Sequence, residues 1–376
     1  MKLRTKAKIA LRHLTSRPFQ TFSVIAVTAF SAALAVALFV AVQGLRAGLV
    51  KAVEPFDLIA GAKGSPYQMV LNTVFLQDSP AGNISWGSYE ELRRDSRVGL
   101  AVPLAFGDNY RGYPVVGTTR DILSVRPAAS APPWIELGEG RWAEETFEAV
   151  IGSKVSSESG LAIGDSFRTS HGITAGIEHD ADFRVVGIAR NAGGPYDRAV
   201  FVTLESIWEE HHHENEGEDE DGGEPHEGDE GEYGEITAVM VRPVSYTDAY
   251  SLAVSFQSDD EAQIVFPAQT VIRLFSMMGR GEAFLSAVVY AVVACALLST
   301  VLVLYWAAAA RRRERVLLRI LGTPESTLIF ISWLEGALLV FSGAVLGELL
   351  GRLGAAALFS AIGAASAIDP SAPLKM

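Results

Sequence analysis

Four histidines lie in one strongly acidic stretch of this 376-residue sequence. Residues 209–235 carry 14 Asp and Glu side chains and six glycines, with no Lys or Arg. Imidazole and carboxylate groups are ligands for Zn²⁺ and related metals, so the stretch could capture metal weakly, although no rigid ligand spacing is present. The alternative is a solvated acidic loop, because self-repelling charge with nothing to bury does not offset the entropy of ordering. The candidate ligands are His211, His212, His213 and His226.

A second group of residues with possible chemistry is rich in glycine. Gly61 and Gly64 lie beside Lys63 and Ser65, a composition typical of phosphate-binding loops. The spacing G-x-x-x-x-G-K-[ST] is absent there, and the sequence contains neither G-x-S-x-G nor H-E-x-x-H. We therefore expect no nucleotide site and no hydrolytic chemistry in this chain, which is not predicted to be an enzyme.

A third group is basic and follows a 28-residue uncharged stretch, 283–310. Five arginines and one acid precede Gly322-Thr323-Pro324, a sequence that ends a helix. Their charge alone predicts an anchor for anionic headgroups, at about 1 kcal/mol per base. The charged residues are Arg311, Arg312, Arg313, Glu314, Arg315 and Arg319.

Three stretches are long and apolar enough to cross a bilayer, which takes about 20 residues. Residues 22–42 and 283–310 contain no charge, and 327–347 is interrupted only by Glu335. A mean hydropathy of +0.23 is too low for a bundle of helices alone and indicates a few spans with a soluble domain. The sequence therefore predicts an α-helical membrane protein with three spans.

The basic residues predict the orientation of these spans. Six of them lie in an amphipathic segment from Lys2 to Arg17, and no acid precedes Glu54. With the arginines of 311–319, they place both basic clusters in the cytoplasm by the positive-inside rule, so residues 45–282 are extracytoplasmic. The first apolar run exceeds the usual ~7–15 residues of a signal peptide, so we expect a retained anchor.

Short apolar runs bounded by turn residues predict a large mixed α/β domain between the first and second spans. Outside the acidic stretch 30 acids face 31 bases, so the net charge of −13 belongs to that stretch. The single cysteine, Cys295, excludes an intramolecular disulfide framework and a cysteine metal cluster. Strands are predicted at 149–152, 183–188, 199–202 and 238–241, and helices at 86–97, 246–263 and after Thr203.

Two features of the third span could have a functional or a packing role. Glu335 is costly inside a bilayer, by ~2.5–3.5 kcal/mol, and so must face protein or water, either as a relay for protons or ions or as a paired packing residue. Gly343 and Gly347 form a G-x-x-x-G pair, which lets a second helix approach closely.

Read in order, three segments resemble the FtsX-like/MacB-like ABC transporter permease family, the type VII group that includes lipoprotein-releasing and mechanotransmitting permeases. The first runs from Ala10 through Arg17-Pro18 into the first span. The second, 148–188, is similar to the strand, helix and Gly-Asp turn of the family's periplasmic core domain. The third, 311–324, resembles the family's cytoplasmic R-E-x-x-x-L-R-x-L-G segment.

The resemblance implies a permease subunit in the inner (cytoplasmic) membrane, with its large domain in the periplasm. A separate cytoplasmic ATPase would bind ATP and Mg²⁺, and a second permease copy would complete the bundle. The segment from Arg311 to Gly322 would be the coupling helix of this ATPase, while the outer domains act on a lipoprotein, a periplasmic substrate or metal-related cargo. Membrane lipid is a further partner, and no nucleic acid is expected.

The resemblance also implies a domain order and leaves alternatives open. The family normally has four spans, and this sequence contains three, which puts transport competence in doubt. The alternatives are a mechanotransmitting regulator of an extracytoplasmic hydrolase or sensor, a zinc-uptake component, and an anchored binding domain without an ATPase. The predicted parts are a basic segment 1–18, spans 19–44, 283–310 and 326–350, the outer domain 45–282 with its loop 209–235, the coupling segment 311–325, and an outer extension 351–376.

Overall fold

The fold is described from a computed structural model of the chain. It describes residues 3–365, with the exception of 129, 172–180, 211–233, 278, 311 and 321. The chain divides into two compact units, one formed mainly by residues 1–47 and 278–362 and the other by residues 48–277. The first unit consists of helices, and the second combines helices with a sheet.

The helices and strands of both units are numbered in chain order. The helices are α1 (Leu3–Ser16), α2 (Pro18–Val53), α3 (Pro66–Phe75), α4 (Trp86–Arg94), α5 (Ser153–Ser159), α6 (204–210), α7 (Tyr246–Ser255), α8 (Pro267–Met277), α9 (Gly279–Ala310), α10 (Arg312–Ile320) and α11 (Glu325–Ala365). The strands are β1 (Leu58–Ala62), β2 (Val98–Tyr110), β3 (Tyr113–Thr118), β4 (Leu137–Gly140), β5 (Glu148–Ile151), β6 (Ser166–Phe167), β7 (Ser170–His171), β8 (Phe183–Ala189), β9 (Val200–Val202), β10 (Ala238–Pro243) and β11 (Ala262–Val265).

Among the described residues, three helices of the first unit are long and apolar enough to cross a membrane. They are Pro18–Val53 in α2, Ala287–Trp306 in α9 and Glu325–Phe359 in α11. In lipid a helix satisfies its backbone polar groups internally, and these segments have few side chains that compete for them. These helices coincide with the three predicted apolar stretches, while the number and orientation of membrane crossings stay predictions.

The second unit is built on one mixed sheet. Its strand order is β11-β1-β10-β2-β3-β9-β5-β8-β4, with β6 paired to β8 and β7 paired to β2. The pairs β3–β9 and β5–β8 are parallel, and the other described pairs are antiparallel. Between Phe106 and Asn109 the register of β2 against β3 shifts, which marks a β-bulge.

Both faces of this sheet are buried. Successive side chains of a strand point to opposite faces, and on β5 Val150 belongs to one hydrophobic cluster while Ala149 and Ile151 belong to another. Helices α3 and α8 contribute Met69 and Val271 to the first cluster. Helices α4 to α7 cover the opposite face, so the unit is a three-layer α/β domain.

The predicted strands are confirmed at β5, β8, β9 and β10. Thr203 caps α6 as expected, since its Oγ1 accepts the backbone N–H of Ser206 at 3.3 Å. The helix predicted over 246–263 is wrong in its second half, because α7 ends at Ser255. Residues Ala262–Val265 instead form the edge strand β11, paired antiparallel with β1.

Candidate functional site

The segment that follows α9 forms the short helix α10, which has an uncovered apolar face. Val316, Leu317 and Ile320 are 57%, 60% and 75% exposed. Positions three and four apart share one side of a helix, so Val316 and Ile320 form a stripe beside Leu317. The helix therefore presents apolar side chains together with its arginines, which suits a partner with both an apolar groove and acidic groups.

A glycine turn ends α10 and sets the start of α11. Gly322 has a φ of +84°, in the left-handed region that disfavours a side chain. Its N–H donates to Arg319 O at 3.0 Å and the N–H of Thr323 to Leu318 O at 3.1 Å, the two bonds of a Schellman motif. Pro324 then precedes α11, so the direction of the chain is fixed between the two helices.

The predicted coupling residues occupy different places in this segment. Arg315 donates from Nη2 to the carbonyl of Ala308 near the end of α9, and Arg319 makes an exposed ion pair with Glu325 at 3.4 Å. The Arg312 side chain is exposed. Arg313 and Glu314 belong to the same helix, and Arg311 lies outside the described residues.

Glu335 lies in a partly buried contact between α11 and the amphipathic helix α1. Its Oε1 is 2.6 Å from Nδ1 of His13, and Glu335 is 5% exposed. Two turns earlier in α1, Lys6 Nζ lies 4.8 Å from the ring centroid of Phe330. Between these contacts Ala10 is fully buried. Sequence reasoning assigned no role to His13, because no spacing connects residues 322 positions apart.

The glycines of α11 lie against α2. A Cβ added at Gly343 would be 2.6 Å from Cβ of Thr28, and one added at Gly347 would be 2.6 Å from the carbonyl oxygen of Ala29. Gly351 continues the contact one turn later. The structure thus places Gly343 and Gly347 at a close approach of two helices within this chain.

The four candidate metal-ligating histidines lie outside the described residues. The residues before and after this stretch are joined by a hydrogen bond, which Trp208 Nε1 donates to Glu235 O at 2.9 Å. Asn83 Nδ2 donates to Glu235 Oε2 at 3.0 Å, and Ile84 pairs with Ile236. Within the described part of the chain, no three His, Cys, Asp or Glu side chains form a group that could hold a metal.

An ion pair fixes the loop that leads into β5. Arg141 donates to both carboxylate oxygens of Glu148, one of them at 2.6 Å for Nη1 and Oε2. The backbone N–H groups of Glu144 and Glu145 also donate to this carboxylate. These interactions, with the Arg141 hydrogen bond the largest, lower the pKa of Glu148 to about 2.

The two units together define a class of protein that combines candidate membrane helices with an α/β domain inserted between the first and second of them. Family models identify both parts: the MacB-like periplasmic core domain matches residues 25–255, and the FtsX-like permease C-terminal domain matches residues 286–374. The chain therefore belongs to the FtsX/MacB-like family of ABC transporter permeases, which are membrane-embedded components with an extracellular domain and are not themselves enzymes.

One solved structure similar to this chain is the extracellular domain of the noncanonic ABC-type transporter YknZ from Gram-positive bacteria. The two chains are 10% identical, with a TM-score of 0.32, and the match covers 55% of this chain and 98% of the other. No curated protein sequence matches this chain significantly.

Proposed function

We propose that this chain couples ATP hydrolysis in a separate cytoplasmic ATPase to movement of its extracytoplasmic domain. The family implies an ATPase partner and a dimeric permease. The observation that carries the proposal is α10, a short helix whose apolar side chains are uncovered beside its arginines. A Schellman turn at Gly322 joins α10 to α11 over a few residues, so a movement of α10 would act directly on the start of α11.

The test uses the full chain purified from native membranes with its bound partners. Leu317→Ser removes an exposed apolar side chain of α10, and Val244→Ser, at 65% exposure in the outer domain, is the matched control. We expect the Leu317 variant to lose most of its co-purifying ATPase activity, while the control retains it. Retention of the ATPase by both variants, each with normal membrane insertion, would refute the coupling role of α10.

Charge in α10 is tested separately. Arg312→Glu with Arg315→Glu reverses two basic positions, and Arg93→Glu is an exposed control on α4, with 58% of its side chain exposed. If α10 binds an acidic groove of the ATPase, the double variant loses ATPase in detergent, where anionic lipid is absent. If α10 only anchors the chain to headgroups, the variant loses binding to anionic vesicles and keeps the ATPase.

The cargo is proposed as a lipoprotein, another periplasmic substrate, or metal-related cargo. Regulation of an extracytoplasmic hydrolase or sensor is the alternative, and it predicts that such a partner co-purifies.

Zinc capture by the histidines of 209–235 has its own test. Deleting 211–233 should abolish Zn²⁺ binding in calorimetry and any Zn²⁺ stimulation of the ATPase. Unchanged Zn²⁺ binding and ATPase activity would refute metal capture and favour the interpretation of this stretch as a solvated acidic loop.

A further inference from the structure

The amphipathic helix α1 carries a row of basic side chains along one side. Arg4, Lys8 and Arg12 are four residues apart, so they follow one another on the same side of the helix. All three are exposed. Leu11, three residues after Lys8, lies beside this row and is 60% exposed. The helix therefore presents a basic row together with an apolar side chain.

The opposite side of α1 is occupied by its contacts with α11. His13 meets Glu335, Lys6 lies against the ring of Phe330, and Ala10 between them is fully buried. At 3.6 residues per turn, positions 6, 10 and 13 lie roughly opposite to positions 4, 8 and 12. Packing on α11 thus fixes which side of α1 is left for another partner, and that side is the basic row.

The charge of the basic row is not neutralised within the described part of the chain. Helix α1 contains no acidic residue. Among the residues that the structure describes, Arg4, Lys8 and Arg12 make no ion pair through their side chains. Like charges four residues apart destabilise a helix slightly, so an anionic group that bridges them would stabilise α1. The row is therefore complementary to a partner with several negative charges.

A hydrogen-bonded bend places this row beside the first apolar helix. Helix α2 begins at Pro18, one residue after α1 ends, and Thr21 Oγ1 donates to Leu14 O at 2.8 Å across the bend. Phe19 and Phe22, at the start of α2, are 83% and 69% exposed. Basic residues beside exposed phenylalanines are typical of helices at a membrane surface. Because α2 is apolar enough to enter a bilayer, phospholipid headgroups are the anionic groups closest to the row.

We propose that α1 binds the phosphate groups of anionic phospholipids through Arg4, Lys8 and Arg12. Ammonium and guanidinium groups donate charge-assisted hydrogen bonds to phosphate oxygens, and a guanidinium can donate two of them at once. Leu11 contacts the upper part of the acyl chains. A phospholipid with net negative charge is preferred over a zwitterionic one, because the choline of the latter repels the basic row. This surface is separate from α10 and goes beyond the proposed coupling to an ATPase.

The experiment compares two short-chain lipids on the full-length protein, purified without an ATPase in a non-ionic detergent. Dioctanoyl phosphatidylglycerol and dioctanoyl phosphatidylcholine are titrated separately, and binding is followed by microscale thermophoresis. Each base near an anionic surface contributes about fivefold to binding, so phosphatidylglycerol should bind about tenfold or more tightly than phosphatidylcholine. Glycerol phosphate, which has the charged group without acyl chains, should bind about tenfold more weakly than phosphatidylglycerol.

A triple variant tests the three bases themselves. Arg4→Gln with Lys8→Gln and Arg12→Gln should lower the preference for phosphatidylglycerol to about threefold or less. Glutamine is a good helix former, so α1 is retained, and the melting temperature of the variant in the same detergent checks that the chain folds. The matched control removes the same charge from exposed positions of the outer domain and should keep the preference; it combines Arg93→Gln, Arg94→Gln and Arg120→Gln.

Three outcomes would overturn the proposal. The first is equal binding of the two lipids by the parent protein, or an equal loss of preference in the two triple variants. The second is binding of glycerol phosphate as tight as that of phosphatidylglycerol, which would identify a site for free phosphate. The third is an unchanged lipid preference in the α1 variant together with loss of a co-purifying ATPase, which would identify a protein as the partner of α1. Lipid binding is measured without the ATPase, so failure of the coupling role of α10 would not alter it.

Discussion

The contact between His13 and Glu335 predicts a strong energetic coupling between α1 and α11. A hydrogen bond to a charged group contributes ~1.5–3 kcal/mol, whereas hydrogen bonds within membranes average about 0.6 and reach about 1.7 kcal/mol. The 2.6 Å distance and the burial of Glu335 place this pair at the upper end of the membrane range. We expect a coupling free energy of about 1.5 kcal/mol, a factor of roughly ten in the unfolding equilibrium.

The assay is a double-mutant cycle on equilibrium unfolding in mixed micelles. His13→Leu and Glu335→Leu each remove one partner, and the double variant replaces the pair by apolar side chains of similar size. Removing one partner of a buried pair costs more than removing both, so the double variant should be more stable than the sum of the single changes predicts. Phe330→Leu, which alters the neighbouring contact with Lys6, serves as a control for general loosening of α1.

Additive effects of the two single changes would refute the predicted coupling. If the single changes add within about 0.3–0.5 kcal/mol, the two side chains do not interact appreciably in the folded protein. The contact would then have no energetic consequence, and α1 would be held by its other contacts, such as that of Lys6 with Phe330.

Further predictions concern helix packing and acid stability. Gly347→Leu should destabilise the first unit by ~1–3 kcal/mol in the same unfolding assay, because its Cβ would be 2.6 Å from the carbonyl oxygen of Ala29. Gly354→Leu is the control and should change the stability little, because the space around Gly354 is open. Arg141→Met should raise the pKa of Glu148 toward its ordinary value of 4.5. A depressed carboxyl pKa stabilises the folded state above the unfolded pKa, and this contribution is lost as pH falls from about 4.5 to about 2. The variant lacks the contribution above about pH 4.5, so it should unfold at a higher pH than the parent protein in an acid titration followed by circular dichroism. An unchanged acid midpoint would show that the ion pair does not stabilise the domain.

The sequence predicts the parts of this fold that are governed by local patterns. Apolar runs between turn residues located β8 and β9, and the long uncharged stretches located the three apolar helices. The edge strand β11 was missed, because a four-residue apolar run has no period of its own and its pairing with β1 decides its conformation. The coupling role of residues 311–322 rests on family resemblance more than on periodicity and stays a prediction.

The contact between distant residues of α1 and α11 could not be predicted. His13 meets Glu335 only when α1 packs on α11, and no pattern in either helix indicates it.

The two ends of the acidic stretch 209–235 lie next to each other, and this limits the energetic effect of changes in its length. Trp208 and Glu235 are joined by a hydrogen bond, and a Cβ added at Gly234 would be 2.4 Å from the Trp208 ring. The ends of the stretch therefore already lie side by side. Shortening a connection from about 27 to about 6 residues then lowers its closure entropy cost by only about 1 kcal/mol, in favour of folding. Insertions and deletions between Glu210 and Glu235 therefore carry little entropic penalty for the sheet, so this stretch can vary in length while the domain keeps its structure.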